Sequence, residues 1–215
     1  MYTLYTGKFT RGLVVEMVMA EGGIDFERHE VDILRGEERG PEYLAINPAG
    51  WVPALRCPHG VVLTETPAIN LYLGERHRID SLVPAADDPD RGPFLSGLFY
   101  LSGELEPALK RYWYPHYFGD GERTADAIRG KGIEAALAGF GLVEQRLAAG
   151  GPCYLGERFS LVDLTIAFWM VSLQLPDALR ELPRIFGSVE IARARPKLTP
   201  LFDRLDAWAR EYRAR

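Results

Sequence analysis

Two short segments bring together residue types that could hold a small peptide. The first is Asn47-Pro48-Ala49-Gly50-Trp51-Val52-Pro53-Ala54-Leu55. Asn-Pro followed by Ala-Gly is a turn signal, because proline fixes φ and glycine permits φ > 0. Pro53 has no N–H to give to a sheet, so it marks a strand start, an edge or a cis turn. If the strand begins at Pro53, the main chain of Val52 stands outside the ladder and is free to pair with an extended peptide. The second segment is Leu63-Thr64-Glu65-Thr66-Pro67-Ala68-Ile69. Thr66-Pro67 reads as an N-cap followed by proline at the first position of a helix over 68–76. The free N–H groups and positive dipole end of that helix would receive a carboxylate, and Glu65 would pair with an ammonium group beside it. The pattern is main chain to main chain at Val52 and an anionic end at Thr66.

Either segment alone is an ordinary turn or an ordinary cap. Both together, at this spacing, resemble the glutathione S-transferase superfamily, whose members carry a loop ending in Val-Pro and a Glu-Ser/Thr pair opening the third helix. The resemblance implies that Pro53 is cis, that the Val52 main chain binds the cysteinyl part of glutathione, and that Glu65 and Thr66 bind its γ-glutamyl part. It also implies a homodimer. Trp51 replaces the polar residue that precedes Val-Pro in many members and suggests an apolar wall. Arg11, Arg35 and Arg39 are candidates for the glycyl carboxylate, each equally readable as a solvated surface charge.

Glutathione chemistry needs a thiolate at neutral pH. A free thiol has a pKa of about 8.5, which a hydroxyl hydrogen bond and a helix N-terminus lower by roughly a unit or more. The family places that hydroxyl at the end of the first strand or the start of the first helix, so the candidates are Thr6 and Thr10. Thr6 is preferred, because many Ser- and Thr-type members place the hydroxyl five positions before a basic residue, as Thr6 stands before Arg11. Thr10 lies where the beta-type bacterial enzymes carry cysteine. Tyr5 reads as a strand residue. With no cysteine after the first strand, disulfide exchange is not expected. The electrophile is expected against a long kinked helix, where Phe99 and Tyr112 are candidate pocket residues among aromatics that otherwise suit a core or interface.

Positioning these groups requires strands at 2–5, 26–31, 52–57 and 61–63, with helices between the first two and after the last. Strands separated by a helix argue for a parallel pair, and the two joined by Pro58-His59-Gly60 argue for a hairpin. The expected fold is therefore α/β (α+β) of thioredoxin type over residues 1–77. Pro84–Pro89 is the best linker signal within a connection over 78–89. Beyond it, residues 90–215 show helical patterns only, with Pro107 expected to kink the first. Ser160-x-x-Asp163 is an acidic capping box, with Phe159 and Leu164 as its staple, opening a helix apolar on nearly every face. The glutathione transferases carry the same box at their central buried helix, so the resemblance spans both domains. Leu201, Leu205, Trp208 and Tyr212 fall on one face of a last helix.

The chain has 215 residues, 47% hydrophobic and 26% charged, enough for a substantial core. A net charge of -5 argues against nucleic acid as the main partner. The two cysteines, Cys57 and Cys153, make no C-x-x-C and suit a reducing cytosol rather than a disulfide scaffold. No histidine spacing suggests a metal. No signal peptide or membrane span is read, since the longest apolar run is far below the roughly 20 residues a bilayer needs. The expectation is a cytoplasmic enzyme that joins glutathione to a small apolar electrophile. The alternatives are a glutathione-dependent isomerase or dehalogenase, or a catalytically silent binding protein on the same fold.

Overall fold

Strand β1 (Tyr2–Thr6) is buried at four of its five positions, as a strand must be when paired on both edges and covered. The computed structural model describes residues 1–172 and 182–213. β1 pairs in parallel with β2 (Phe26–Glu30) and antiparallel with β3 (Ala54–Arg56), which pairs antiparallel with β4 (Val62–Thr64). The sheet order is β2-β1-β3-β4, the expected thioredoxin-like arrangement. The parallel link needs a crossover, supplied by α1 (Gly12–Gly22). Gly23, at φ +61°, ends α1 by donating its N–H to the Ala20 and Met19 carbonyls, the usual use of glycine past a helix end. A short α2 (Pro41–Leu44) leads to β3, and α3 (Thr66–Arg76) follows β4 and packs on α1. Leu4, Leu13, Met17, Leu55, Ile69 and Leu73 form the buried interior of this part.

Among the described residues, 1–85, 171–172 and 191–213 make one compact unit, and 86–170 with 182–190 make a second. The first boundary falls within the Pro84–Pro89 segment. The final helix, α9 (Thr199–Arg213), clusters with the sheet rather than with the helices that precede it. Ion pairs explain why. The Arg195 guanidinium grips Glu21 through two hydrogen bonds of 2.9 and 2.8 Å, and Arg204 pairs with Glu16. Leu205 and Trp208 lie on the buried face of α9, whereas Leu201 is half-buried and the Tyr212 side chain lies outside the described residues.

The second unit contains α4 (Arg91–Tyr100), α5 (Glu106–Trp113), α6 (Glu122–Gly150), α7 (Leu161–Ser172) and most of α8 (Pro183–Arg193). The break expected at Pro107 is realised one turn earlier, as a π-helical turn over Leu101–Leu105. Proline lacks an N–H and its ring crowds the carbonyl four residues back, so the ladder widens before it. The Glu106 N–H accordingly reaches Leu101 O. α5 and α6 approach closely where Gly132 leaves room: a Cβ there would lie 2.8 Å from Ala108 O.

The capping box forms as expected and recruits more partners than a cap needs. The carboxylate of Asp163 accepts from the Ser160 N–H at 2.9 Å, the Ser160 hydroxyl at 2.8 Å, the Tyr154 N–H at 2.7 Å and the Ser188 hydroxyl at 3.2 Å. Burial pushes the Asp163 carboxyl above the usual carboxylate range, opposed by these hydrogen bonds. Removing the carboxylate orphans buried donors on three segments. Asp163→Ala should therefore lower the unfolding free energy by about 3 kcal/mol in a urea titration, well beyond the roughly 1 kcal/mol of a simple cap.

Candidate active site

Sheet register decides which candidate residues can meet. Tyr5 opposes Ala54 across β1 and β3, and Ala54 opposes Thr64 across β3 and β4. One step further along each strand stand Thr6, Pro53 and Glu65. The end of β1, the entry to β3 and the exit of β4 thus share one end of the sheet. The N-terminus of α1 closes on the same place. A Cβ on Gly12 would overlap the Thr6 hydroxyl and lie 3.4 Å from Pro53 Cβ, so only glycine lets α1 approach this closely.

The Val52–Pro53 peptide is cis. The β3 ladder begins at Ala54, leaving the half-buried Val52 outside it, as the prolyl position predicts. The preceding loop is clamped by two donors on one acceptor. The Tyr43 hydroxyl and Asn47 Nδ2 each donate to Trp51 O at 2.7 Å. Asn47 Oδ1 accepts the Ala49 N–H at 3.2 Å, and the Gly50 N–H reaches Asn47 O at 2.9 Å. The Arg39 guanidinium stacks 4.5 Å from the Trp51 ring centre and donates to Ala49 O at 3.4 Å. Arg35 instead pairs with Asp32 at 3.4 Å on the surface.

At the head of α3 the local register differs from expectation. Glu65, not Thr66, occupies the N-cap position, and Thr66 is the first helical residue. Glu65 adopts φ +65°, ψ +111°, a region that non-glycine residues seldom enter and that persists only when its surroundings enforce it. Its carboxylate is exposed. Thr66 is 6% exposed, and its hydroxyl has no hydrogen-bond partner among the described residues. A buried hydroxyl in that state at a helix N-terminus fits an acceptor such as a carboxylate.

The two candidate hydroxyls touch each other. Thr10 donates to Gly7 O at 2.8 Å, so the 3.0 Å contact with Thr6 has Thr6 as donor. Thr6 is 0% exposed and covered by Gly12. Of the two candidates Thr6, preferred on sequence spacing, is thus fully enclosed, and Thr10 is the half-buried one. Arg11, also half-buried, sits immediately before α1. Tyr5 packs with Val31, Tyr43 and Ala54, as a strand residue should.

The pocket candidates separate. Phe99 is 58% exposed on α4, and half-buried Tyr112 is on α5, across the π-helical turn. Thirteen residues of helix put them roughly 20 Å apart, too far to line one small pocket together. Among the described residues, an open cavity of about 210 Å³ within the helical unit is lined by Tyr100, Leu142, Val143, Arg146 and Tyr154. Among the described residues no group of three or more His, Cys, Asp or Glu side chains could hold a metal, and no helix is long and apolar enough to cross a membrane.

Known proteins resemble this chain in sequence and in fold. The family model described as glutathione S-transferase, N-terminal domain, matches residues 12–76. The chain is 32% identical to a maleylacetoacetate isomerase of Pseudomonas aeruginosa over 91% of its length and 92% of that protein's. The chain belongs to the glutathione S-transferase superfamily. A glutathione transferase homologue from Sulfitobacter, solved with bound glutathione, superposes with a TM-score of 0.83 at 28% identity, covering 95% of this chain and 98% of that one. A glutathione transferase from Methylococcus capsulatus gives 0.81 at 29% identity, covering 96% and 100%.

Within this superfamily member, sequence reading missed Tyr43 and Asn47. Asn47 was visible as the opening of an Asn-Pro turn, but not as a donor across it. Nothing in the spacing marked Tyr43. Its phenol is pushed up to about 12, chiefly by burial and further by Glu38, with the Asn47 hydrogen bond opposing. Between the ordinary phenol value of 10.0 and about 12, the unfolded chain has lost a proton that the folded chain keeps, so stability falls as pH rises through that window. Burial also raises Tyr72, Tyr100 and Tyr154, so an ultraviolet titration should show tyrosine ionisation extending well above the ordinary phenol value, and Tyr43→Phe should remove one proton from its latest part. Asn47→Ala, which removes one clamp donor and the Ala49 acceptor, should cost about 2 kcal/mol in urea unfolding.

Proposed function

We propose that this protein is a glutathione transferase that ionises glutathione beside Thr10 and delivers the thiolate to a small apolar electrophile. The observation that carries the reading is the convergence, at one end of the sheet, of the Val52 main chain and the orphaned Thr66 hydroxyl. The cysteinyl backbone adds to Val52 as a short extra strand. Thr66 and the α3 N-terminus take the γ-glutamyl carboxylate, and exposed Glu65 takes its ammonium. Arg39 and Arg11 are the cations for the glycyl carboxylate, with Trp51 as an apolar wall. The glutathione-bound Sulfitobacter homologue, at 28% identity over 95% of the chain, supports this assignment.

Thr10 swings its proton from Gly7 O to the sulfur while Thr6 continues to donate to Thr10. A donor that is itself hydrogen-bonded is the stronger for it, so the buried hydroxyl works through the accessible one. The ionised sulfur uses a lone pair to form a C–S bond, the leaving group departs with its bonding pair, and the thiol proton goes to solvent. Thiolate stabilisation and proximity supply the acceleration. Two buried cysteines, neither in a disulfide, suit a cytoplasmic protein, and the superfamily resemblance supports a homodimer.

A second reading rests on the Pseudomonas aeruginosa relative, named as an isomerase. The same thiolate would add to one carbon of a cis alkene conjugated to a carbonyl, allow rotation about the resulting single bond, and leave again. Assays with a chloronitrobenzene and with maleylacetoacetate separate the two. Thr10→Ala should lower kcat/KM on the active substrate roughly 100-fold, the usual worth of one donor to a developing anion, and Thr6→Ala roughly tenfold. Turnover of neither compound, with glutathione still bound, would favour a binding protein. Unaltered turnover in Thr10→Ala would refute the role given to that hydroxyl.

A further inference from the structure

We propose that Trp208 is a positioning residue for the Thr10 hydroxyl, with α9 acting as a brace on the loop after β1. The inference rests on the Thr10 reading above and extends it to a residue nearly two hundred positions away.

Phe9, immediately before Thr10, adopts φ +58°. A bulky residue does not hold the left-handed region unaided, so neighbouring structure must enforce it. The Trp208 ring meets the Phe9 ring at 5.8 Å between centres with the planes inclined at 59°. Trp208 is itself held on both sides. It is 8% exposed, and the Arg204 guanidinium lies 5.1 Å from its ring centre, one helical turn away on α9. Arg204 is fixed by Glu16, which is 3% exposed on α1 and also accepts from Arg28 Nε at 3.1 Å. Breaking one partner of so enclosed a charge cluster is costly, which makes the anchor stiff.

The direction of the contacts shows what the brace does. Going up residues 191–213, Arg195 meets Glu21, Arg204 meets Glu16 and Trp208 meets Phe9. One series rises while the other falls, so this stretch of chain lies antiparallel along α1 and ends on the loop that carries Thr10. Within that loop the Thr10 hydroxyl bonds Gly7 O at 2.8 Å and meets the Thr6 hydroxyl at 3.0 Å, while its contacts with the Gly7 and Gly12 N–H groups are long, 3.4 Å each. If Phe9 relaxed to negative φ, the peptide plane leading into Thr10 would rotate and carry the hydroxyl away from Thr6.

The test measures the thiol pKa of glutathione bound to the intact protein from its ultraviolet thiolate absorbance, with urea midpoints as the control for folding. Trp208→Ala should raise that pKa by about one unit, a tenfold loss of thiolate near neutrality, and lower kcat in proportion. The glutathione Kd should change less than roughly threefold, since the contacts at Val52 and Thr66 are untouched. Trp208→Phe should restore the wild-type pKa. Phe9→Gly accepts the left-handed conformation without cost, so it folds even if Trp208→Ala does not, and its freed loop should show the same rise. A thiolate signal that Phe9→Gly and folded Trp208→Ala leave in place overturns the brace alone. Wild-type protein that binds glutathione without ionising it overturns the Thr10 reading, and the brace with it.

Discussion

A buried hydroxyl without a partner is expensive, and the site is arranged around one. Thr66 is almost wholly enclosed, yet its oxygen meets no donor or acceptor among the described residues. Nearly all such groups in folded proteins are satisfied. The residue before it is driven to φ +65°, although aspartate, serine or threonine with ordinary angles would cap the helix more cheaply. Both costs fall on consecutive residues at the positive end of α3. They make sense if that end is shaped for an anion from outside rather than for the stability of the helix.

The rest of the first unit supports this end of the sheet. Glycine at position 12 lets α1 close on Thr6 and Pro53. The two hydrogen bonds from Tyr43 and Asn47 to the Trp51 carbonyl set the orientation of the chain entering the cis bond. Because a peptide plane is rigid, fixing that carbonyl also fixes the direction of the Val52 N–H. In the proposed function, residues that do not touch the ligand thereby decide where its main-chain partner lies, and the proposed brace gives α9 the corresponding part for the loop after β1.

Much of this was legible in the sequence. Pro53 must start a strand because it cannot donate, and the hairpin, the parallel pair and the capping box followed from turn residues and periodicity. The helix boundary at Thr66 shifted by one residue, because the glutamate's conformation is enforced from outside and no propensity encodes it. The difference between Thr6 and Thr10 was hidden for a related reason. Spacing along the chain placed both near the site, but only packing under Gly12 shows that one is enclosed. The brace was illegible, since Glu16 and Trp208 lie on separate helices and read as an ordinary polar position and an ordinary core aromatic. Phe99 and Tyr112 shared aromatic character but not a location.

The central claim is that the head of α3 and the chain before β3 hold glutathione together. Titration calorimetry of the protein with glutathione, repeated on Thr66→Val, tests it most directly. The account predicts measurable binding by the wild type and a loss of roughly tenfold in Thr66→Val, the worth of one charge-assisted hydrogen bond. No heat from the wild type, or equal affinity in the two proteins, would contradict it.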